Sequence, residues 1–389
     1  MKKFIKSAVV VASMAAITSY AADGDTKLSV YGLLDMGVIS VDGLGASATQ
    51  KSLGIQSGIV TSSHIGVTGT SDISAGHKIG FKLEGNAGLN DGSQVNTAIS
   101  GAQNALFSRE STISYTGPFG TVTAGRQKNP FAQAYIAGDA RNWANIGTAN
   151  ILFADQSSFG GTATLKSGIG NLTGGTFTNN LIKYDTPTWK NFSATTYFSP
   201  GGYAGEFDSN TVYGTNLKYI DQKLNVVAGT RRAYDKTSSA PKIAEAEALG
   251  ASYTLGQYKV GAGYGTMKNT SLSVGTANRS FSLQELTAAY TPNATWEFSV
   301  GQYVLKDKDT PANKSTINGA GAIYKLSKAT SLYTQYSKAE NQGTMGMAAY
   351  GFGYANINSL AVSQAMFPSV MTVAGKNQTA IAMGIQHRF

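Results

Sequence analysis

Apolar and polar residues alternate along most of this chain. In the stretch 294–304 one face would carry apolar side chains and the other mainly polar or small ones: Trp296, Phe298, Val300 and Val304 against Glu297, Ser299, Gly301 and Tyr303. The stretches 257–264 and 224–229 show the same alternation. Because successive side chains of a β-strand point to opposite faces, this period predicts strands with one apolar face.

The connections between the predicted strands alternate in length. Longer polar stretches occur at 42–56, 200–210, 236–241 and 339–377, and short turns are predicted at 72–76, 117–120, 186–191, 221–223, 255–257, 292–294 and 326–329. We count sixteen candidate strands. Short turns at one end and long loops at the other are the layout of an outer-membrane barrel, so we predict an all-β fold, a 16-stranded antiparallel transmembrane β-barrel.

The last strand is predicted to close this barrel. Two faces alternate along it, one with Ile381, Met383, Ile385, His387 and Phe389 and the other with Ala382, Gly384, Gln386 and Arg388. An open edge in hydrocarbon would leave backbone N–H and C=O groups unpaired, at several kcal/mol each. An aromatic residue such as Phe389 also suits the water–lipid boundary. The alternative is the last strand of a soluble β-sandwich.

The first residues have the pattern of a secretory signal peptide. Three lysines among the first six residues precede the apolar run 8–17, and Ser19 and Ala21 supply the small residues of a cleavage site. We predict a signal peptide at residues 1–21, cleaved after Ala21, and a barrel domain at 22–389. No later segment has the roughly eighteen consecutive apolar residues that a transmembrane helix needs.

The composition agrees with a barrel and excludes several chemistries. Charged residues make up 14% of the chain, against roughly 25% in an ordinary soluble domain. Cysteine is absent, which excludes disulfides, thiolate catalysis and cysteine-ligated metal. Loss of the three signal-peptide lysines would lower the formal charge of +9 to +6. The remaining charge is scattered, with Arg231–Arg232 the only dense basic pair, so we expect no nucleic-acid partner, and no cofactor.

Six segments of the chain carry a family resemblance. They are "VYGLLDMGV" (30–38), "GVTGTSDISAGHKIGFKLEG" (66–85), "SRESTISYTGPFGTVTAGRQ" (108–127), "NNLIKYDTPTWKNFSATTYF" (179–198), "LSKATSLYTQYSKAEN" (326–341) and "GIQHRF" (384–389). In this order they resemble the general porins of Gram-negative bacteria, in particular the neisserial and burkholderial type.

The resemblance implies an integral outer-membrane protein that forms homotrimers. Each barrel would enclose a water-filled pore for passive diffusion of small ions and hydrophilic solutes, narrowed by a long third loop that folds inward as the constriction loop. The resemblance also implies that the barrel-assembly machinery reads the C-terminal strand through Phe389.

The third loop is expected at residues 127–178, where no clear strand pattern occurs. A loop of this length in a compact domain usually has a function. The mixed charges of this loop suit a constriction: Lys128, Asp139, Arg141, Asp155 and Lys166. The alternative is that the loop is an extracellular flap.

Porins of this type usually carry a ladder of basic side chains opposite the third loop, and the chain matches that ladder only in part. Arg109 and Arg126 match ladder positions, whereas His64 and Phe177 stand where arginine is usual. We therefore expect only weak anion selectivity. The further predicted lining residues are basic Lys82 and Lys183 and acidic Asp35 and Glu84.

His64 adds an expected pH dependence. An unperturbed histidine titrates near pH 6.5. If His64 faces the lumen, anion preference should rise as the pH falls from about 7.5 to 5.

Strict alternation would point Arg109 toward lipid, because it shares parity with Ile113 and Tyr115. A charged arginine at the bilayer midplane costs roughly 2–4 kcal/mol. We therefore expect neighbouring subunits and the folded loop to cover this strand, so that Arg109 faces the pore. An arginine that snorkels at the lipid boundary is the alternative.

Two other functions are alternatives to a channel. A hydrolase would need a Ser–His or Asp–His constellation, and of the three histidines only His64 is expected in the pore, with no nucleophile near it in sequence. A secreted or surface-exposed β-rich adhesin or binding protein would also suit the polar loops. It would fractionate with the periplasm or the medium rather than with the outer membrane.

Overall fold

The computed structural model describes residues 26–44, 47–90, 92, 105–149, 176–201, 211–235, 242–271, 279–350 and 374–389. These residues form one antiparallel sheet of seventeen strands and one short helix. The helix is α1 (Ala132–Gly138), and the strands are β1 (Lys27–Leu44), β2 (Gln50–Ser57), β3 (His64–Ser74), β4 (His77–Asn86), β5 (Glu110–Gly117), β6 (Gly120–Lys128), β7 (Phe177–Asp185), β8 (Phe192–Ser199), β9 (Thr211–Ile220), β10 (Leu224–Asp235), β11 (Lys242–Leu255), β12 (Tyr258–Ser271), β13 (Arg279–Tyr290), β14 (Trp296–Asp307), β15 (Lys314–Lys325), β16 (Thr330–Gln342) and β17 (Gln378–Arg388).

The sheet closes on itself where β1 meets β17. These strands pair from Leu33 opposite Arg388 to Asp42 opposite Thr379. Two further hydrogen bonds, of 3.1 and 3.2 Å, join the backbones of Gly32 and Phe389. Closure pairs the backbone groups that an edge strand would leave exposed to hydrocarbon. The predicted role of the last strand in closing the barrel is confirmed.

The seventeen strands fill sixteen positions in the barrel wall. One edge of β1 pairs with two strands in succession, Met36–Leu44 with β2 and Lys27–Leu33 with β3. β2 and β3 therefore form one wall strand, which residues 58–63 interrupt. The predicted sixteen-stranded barrel is confirmed, with this interruption as a feature that the alternation did not predict.

The strand faces lie as the alternation predicts. On β17, Ile381, Met383 and Ile385 are exposed on the outer surface, whereas Ala380 and Ala382 are buried inside. On β14 the exposed set is Trp296, Phe298 and Val300. This apolar outer face suits lipid and gives the barrel its membrane-facing surface.

The seven predicted short turns all connect neighbouring strands at one end of the barrel. Gly76, Gly120 and Gly256 have positive φ angles in three of them, a conformation that glycine adopts without strain. In the β9–β10 turn the backbone N–H groups of Leu224 and Lys223 each donate to Asp221 at 2.7 Å. These hydrogen bonds, first that of Leu224, lower the pKa of the Asp221 carboxyl.

Two of the predicted long loops are shorter than expected. β1 continues to Leu44 and β2 begins at Gln50, so residues 42–56 are mostly strand. β16 likewise continues to Gln342. Both misassignments have the same cause, since the strands extend beyond the apolar band into residues that read as polar loop. No helix among the described residues is long and apolar enough to cross a membrane.

The apolar core lies inside the barrel. It forms between the inner wall and the chain segment 129–149, which connects β6 toward β7. Phe131, Tyr135 and Ile146 of this segment are fully buried, as are Phe281 and Tyr303 of the wall. The described part of the third loop therefore folds inward, as expected, and is not an extracellular flap.

Candidate functional site: the inward loop and the charged wall

Helix α1 packs closely against the inner faces of β10 to β13. Glycine makes this contact possible. A Cβ atom at Gly250 would collide with the carbonyl oxygen of Ala134, one at Gly261 with that of Gly138, and one at Gly265 with the Tyr135 hydroxyl. The alternating glycines of β12 thus provide space for the helix inside the barrel, and the loop is held against this side of the wall.

Asp139 fixes the loop just after α1. Its carboxylate accepts hydrogen bonds from the backbone N–H groups of Arg141 at 2.7 Å and Trp143 at 3.1 Å. The Tyr303 hydroxyl on β14 donates to it at 2.8 Å. Thr287 on β13 adds a second contact, since its Oγ1 accepts from the Ala140 N–H at 2.9 Å and donates to the Gly138 carbonyl at 2.7 Å.

Arg141 continues the attachment toward β16. Its guanidinium donates to the carbonyls of Ile146, at 3.2 Å, and Gly147 within the loop, and to Gln335 Oε1 at 2.8 Å. Asp139 and Arg141 are only 1% and 4% exposed. Their contacts hold the loop on the wall. Because they present little surface to the lumen, direct lining of the constriction by these two residues stays a prediction.

A second inward segment, residues 58–63, supports the loop. Asp35 on β1, fully buried, accepts hydrogen bonds from the N–H groups of Val60 at 2.8 Å and Thr61 at 2.7 Å. Asn145 of the loop then pairs with this segment, from its N–H to the Val60 carbonyl at 2.9 Å and from Nδ2 to the Gly58 carbonyl at 2.7 Å. The predicted acidic lining residue Asp35 therefore lies beneath the inward segment.

The connection after β16 supplies a third inward segment. Met345, Met347 and Tyr350 are buried. Ile146 forms an isolated β-bridge with Tyr350, and the N–H of Gly147 donates to the carbonyl of Ala349 at 3.3 Å. Three separate parts of the chain thus build the described partition inside the barrel.

The inner face of β3 to β9 carries a cluster of charged side chains around Glu84. Arg109 Nε lies 2.5 Å from Glu84 Oε1, and Lys82 Nζ lies 3.3 Å from Oε2. The Tyr31 hydroxyl donates to the same carboxylate at 2.7 Å, and His64 Nε2 is 4.0 Å away. The structure therefore brings together four predicted site residues, Glu84, Arg109, Lys82 and His64.

His64 belongs to this cluster but is only partly exposed. Its Nδ1 lies 2.7 Å from the Ser62 carbonyl. Its side chain lies inside the barrel and is 14% exposed, and the expected pH effect stays a prediction.

Arg109 reaches the interior because alternation does not extend to it. β5 begins one residue later, at Glu110, and the Arg109 backbone N–H donates to the Glu84 carbonyl at 3.0 Å. Its side chain also donates to Asn86 Oδ1 at 3.2 Å. Ile113 on β5 remains 58% exposed on the outer face. A bend before the strand thus explains the direction of Arg109, with no need for the strand to be covered on both sides.

Phe177 lies between the two matching ladder positions. The guanidinium groups of Arg109 and Arg126 lie 5.1 and 5.6 Å from its ring centroid. Arg126 also donates from Nε to the Ser108 carbonyl at 2.7 Å, and it sits at a bulge between Gly125 and Gln127. An arginine over an aromatic ring gains a cation–π contact, so Phe177 holds two cations where the family ladder would place a third.

Lys183 lies apart from the Glu84 cluster, on β7. It pairs with Asp185 at 2.9 Å, and Lys218 of β9 lies 3.6 Å from the same carboxylate. A third ion pair, Lys82 with Glu110 at 3.0 Å, extends the cluster on β4 and β5. We call these inward charges of β4 to β9, with Arg109, the charged wall: Lys82, Glu84, Arg109, Glu110, Arg126, Lys128, Lys183, Asp185 and Lys218.

Some predicted residues lie outside the described residues, namely Ala21, Asp155 and Lys166. Four residues that hold the loop were not predicted from the sequence: Tyr303, Thr287, Gln335 and Asn145. Their only signal was their position on the inward face or within the loop. Nothing local in the sequence indicates that these polar groups meet across the barrel.

This architecture defines a class: a closed sixteen-position β-barrel with an apolar outer band and an inward-folded loop against one wall. The Gram-negative porin family matches residues 7–344, and the chain belongs to that family. It is an outer-membrane porin, which implies a channel rather than an enzyme or a soluble adhesin.

Relatives and solved structures agree with this assignment. The chain is 26% identical to outer membrane porin protein 32 of Delftia acidovorans, over 99% of each chain. It is 27% identical to an outer membrane porin protein of Bordetella pertussis, over 66% of this chain and 65% of that protein. An anion-selective porin from Comamonas acidovorans shares the fold with a TM-score of 0.75 and 23% identity, over 94% of this chain and 100% of that one. A trimer form of OmpT from Vibrio cholerae has a TM-score of 0.61 and 18% identity, over 94% and 99%.

Proposed function

We propose that this porin is a passive diffusion channel for small hydrophilic solutes and ions with a modest preference for anions. Helix α1 and residues 139–149 lie against β10 to β16, so solutes pass along the charged wall on the other side. No chemical step is involved. The width of the lumen and the charge on its lining decide which solutes pass.

The excess of basic over acidic side chains on the charged wall supports the proposed anion preference. Basic side chains outnumber acidic ones on it, with Lys82, Arg109, Arg126, Lys128, Lys183 and Lys218 against Glu84, Glu110 and Asp185. Several cations are neutralised by these carboxylates at 2.5–3.6 Å. A partly neutralised basic wall favours anions only modestly, and the name of the Comamonas acidovorans relative agrees in sign.

Selectivity measurements test this directly. In a planar bilayer with a potassium chloride gradient, Arg109→Gln should lower the ratio of chloride to potassium permeability, and Glu84→Gln should raise it. Lys51→Gln is the matched control, because Lys51 is exposed on the outer face of β2 and pairs with Asp42. All effects should weaken near 1 M salt, where the screening length is about 3 Å. A zero-current potential that is the same in all four proteins would exclude the charged wall as the selectivity filter.

The working unit is proposed to be a homotrimer that the barrel-assembly machinery inserts through its last strand. The trimer form of the Vibrio cholerae relative supports the first part. The pairing of Phe389 with Gly32 at the closing seam supports the second.

A further inference from the structure

The outer surface of the barrel carries two lysines that face each other across neighbouring strands. Lys306 near the end of β14 pairs in register with Lys314 at the start of β15. Lys306 is exposed and Lys314 half-buried, and both share the outward parity of Trp296 and Tyr324. Like charges directly opposite each other on a sheet repel, so this arrangement calls for an anion between them.

No acidic side chain supplies that anion within the described part of the chain. Two other outward cations on the long-loop half of the barrel have their own partners. Arg232 pairs with Glu245 at 2.9 Å, and Lys338 pairs with Glu340 at 2.6 Å. For Lys306 and Lys314 the described residues form no ion pair. An external group with about two negative charges, such as a phosphate monoester, matches the two ammonium groups.

The height of the pair identifies the membrane layer that it meets. At the short-turn end, Trp296 packs against Tyr324 with ring centroids 4.8 Å apart. Lys306 and Lys314 lie ten residues along their strands from these rings. At about 3.3 Å per residue and a tilt of about 40°, this is a rise of roughly 25 Å, close to the height of the apolar band of an outer-membrane barrel.

The pair therefore lies at the boundary on the long-loop side. Long loops of these barrels are extracellular, so the headgroups at that boundary belong to the outer leaflet.

We propose that Lys306 and Lys314 bind a phosphate of an outer-leaflet glycolipid. The occupant is the lipopolysaccharide headgroup, because it carries phosphate groups at this height. The site is separate from the diffusion path, since these side chains face outward.

The test is a titration of the intact detergent-solubilised porin, in EDTA, with deep-rough lipopolysaccharide and with the same lipid after enzymatic dephosphorylation. Native mass spectrometry counts bound lipid. Wild type should bind the phosphorylated lipid at least about tenfold more tightly than the dephosphorylated one, and K306Q/K314Q should lose this discrimination. K306R/K314R should keep it, because the charges remain.

Arg232→Gln is the matched control, as an outward cation toward the long-loop end of β10 that is already paired with Glu245. Unchanged binding by K306Q/K314Q, or an equal loss in Arg232→Gln, would overturn the site. Displacement of the lipid by millimolar inorganic phosphate would overturn the glycolipid assignment. Heat-modifiable migration and unchanged conductance show that each variant has folded. If the double variant fails to fold, the single variant Lys306→Gln replaces it and should show a smaller loss of discrimination between the two lipids.

Discussion

At the scale of single residues, Asp35 connects four parts of the molecule. Besides Val60 and Thr61, its carboxylate accepts from the Tyr333 hydroxyl on β16 at 2.6 Å and from Gln386 Nε2 on β17 at 2.9 Å. The opposed glycines 37 and 384 leave space for the Tyr333 hydroxyl, because a Cβ at either position would collide with it. One acidic side chain thus links the closing seam of the barrel to the inward segment 58–63.

Asp35→Ala should destabilise the barrel and loosen the partition. Each buried donor left without a partner costs roughly 1–3 kcal/mol, so we expect a loss of about 3 kcal/mol or more in the free energy of unfolding. Single-channel current should become noisier, since Asn145 loses its support. Urea unfolding in vesicles and bilayer recordings measure both.

The matched control is Asp72→Ala, which removes an exposed ion pair with Lys78. Exposed pairs contribute about 0–1 kcal/mol, so this variant should remain close to wild type. Asp35→Ala with wild-type stability and quiet current would show that the hydrogen bonds of Asp35 are dispensable.

At the scale of elements, the position of the third loop depends on the wall that receives it. Helix α1 is only seven residues long, with no acidic residue in its first turn and no side-chain cap. A helix this short is marginal by itself. It is stabilised by packing against β10 to β13, where glycine replaces larger side chains.

Gly250→Val should displace α1 from the wall, because the new side chain would occupy the space of the Ala134 carbonyl. Because glycine and valine are both uncharged, the change in ion selectivity should be small compared with the change in conductance. Single-channel conductance of the reconstituted protein is the measurement. Ala251→Val, one residue further on β11 and on the outer face, is the control and should conduct like wild type. Equal conductance in all three proteins would mean that the loop does not limit the pore.

The closing strand has its own prediction. Deletion of Phe389 should reduce the amount of folded trimer in the outer membrane more than it reduces synthesis, because it removes both the pairing with Gly32 and an exposed aromatic at the boundary. Quantitative blotting of outer-membrane fractions measures this. Phe389→Tyr, which keeps an aromatic ring, should assemble nearly normally. Wild-type amounts of trimer without Phe389 would contradict the proposed assembly role.

At the scale of the whole molecule, we expect closure to make the barrel resistant to denaturants. The strands are hydrogen-bonded to a neighbour on both sides, so unfolding must break long ladders together. The apolar outer band and the polar interior also divide the surface between lipid and water. This division makes the lumen a wet path across the membrane.

The purified protein should therefore migrate as a heat-modifiable oligomer on a denaturing gel, as a trimer before boiling and a monomer after it. Light scattering in mild detergent gives the mass independently. A monomer by light scattering would refute the trimer and leave the barrel assignment intact.

The sequence by itself determined the wall of this protein. Period-two alternation and turn lengths are local properties, and they were sufficient to predict sixteen wall positions, the lipid face of β14 and the closure by β17. The family resemblance added the inward loop. Glu84, Lys82 and His64 could also be predicted as neighbours, because they lie on adjacent strands with short connections.

Only the tertiary structure decided what fills the barrel. Asp139 meets Tyr303, and Asp35 meets Tyr333, across separations of 164 and 298 residues. No local period encodes such contacts. The burial of Asp139 and Arg141, the bend that turns Arg109 inward and the interruption between β2 and β3 likewise depend on chain paths inside the lumen. A closed wall follows from repeated short-range rules, whereas its interior is set by contacts between parts of the chain that are distant in sequence.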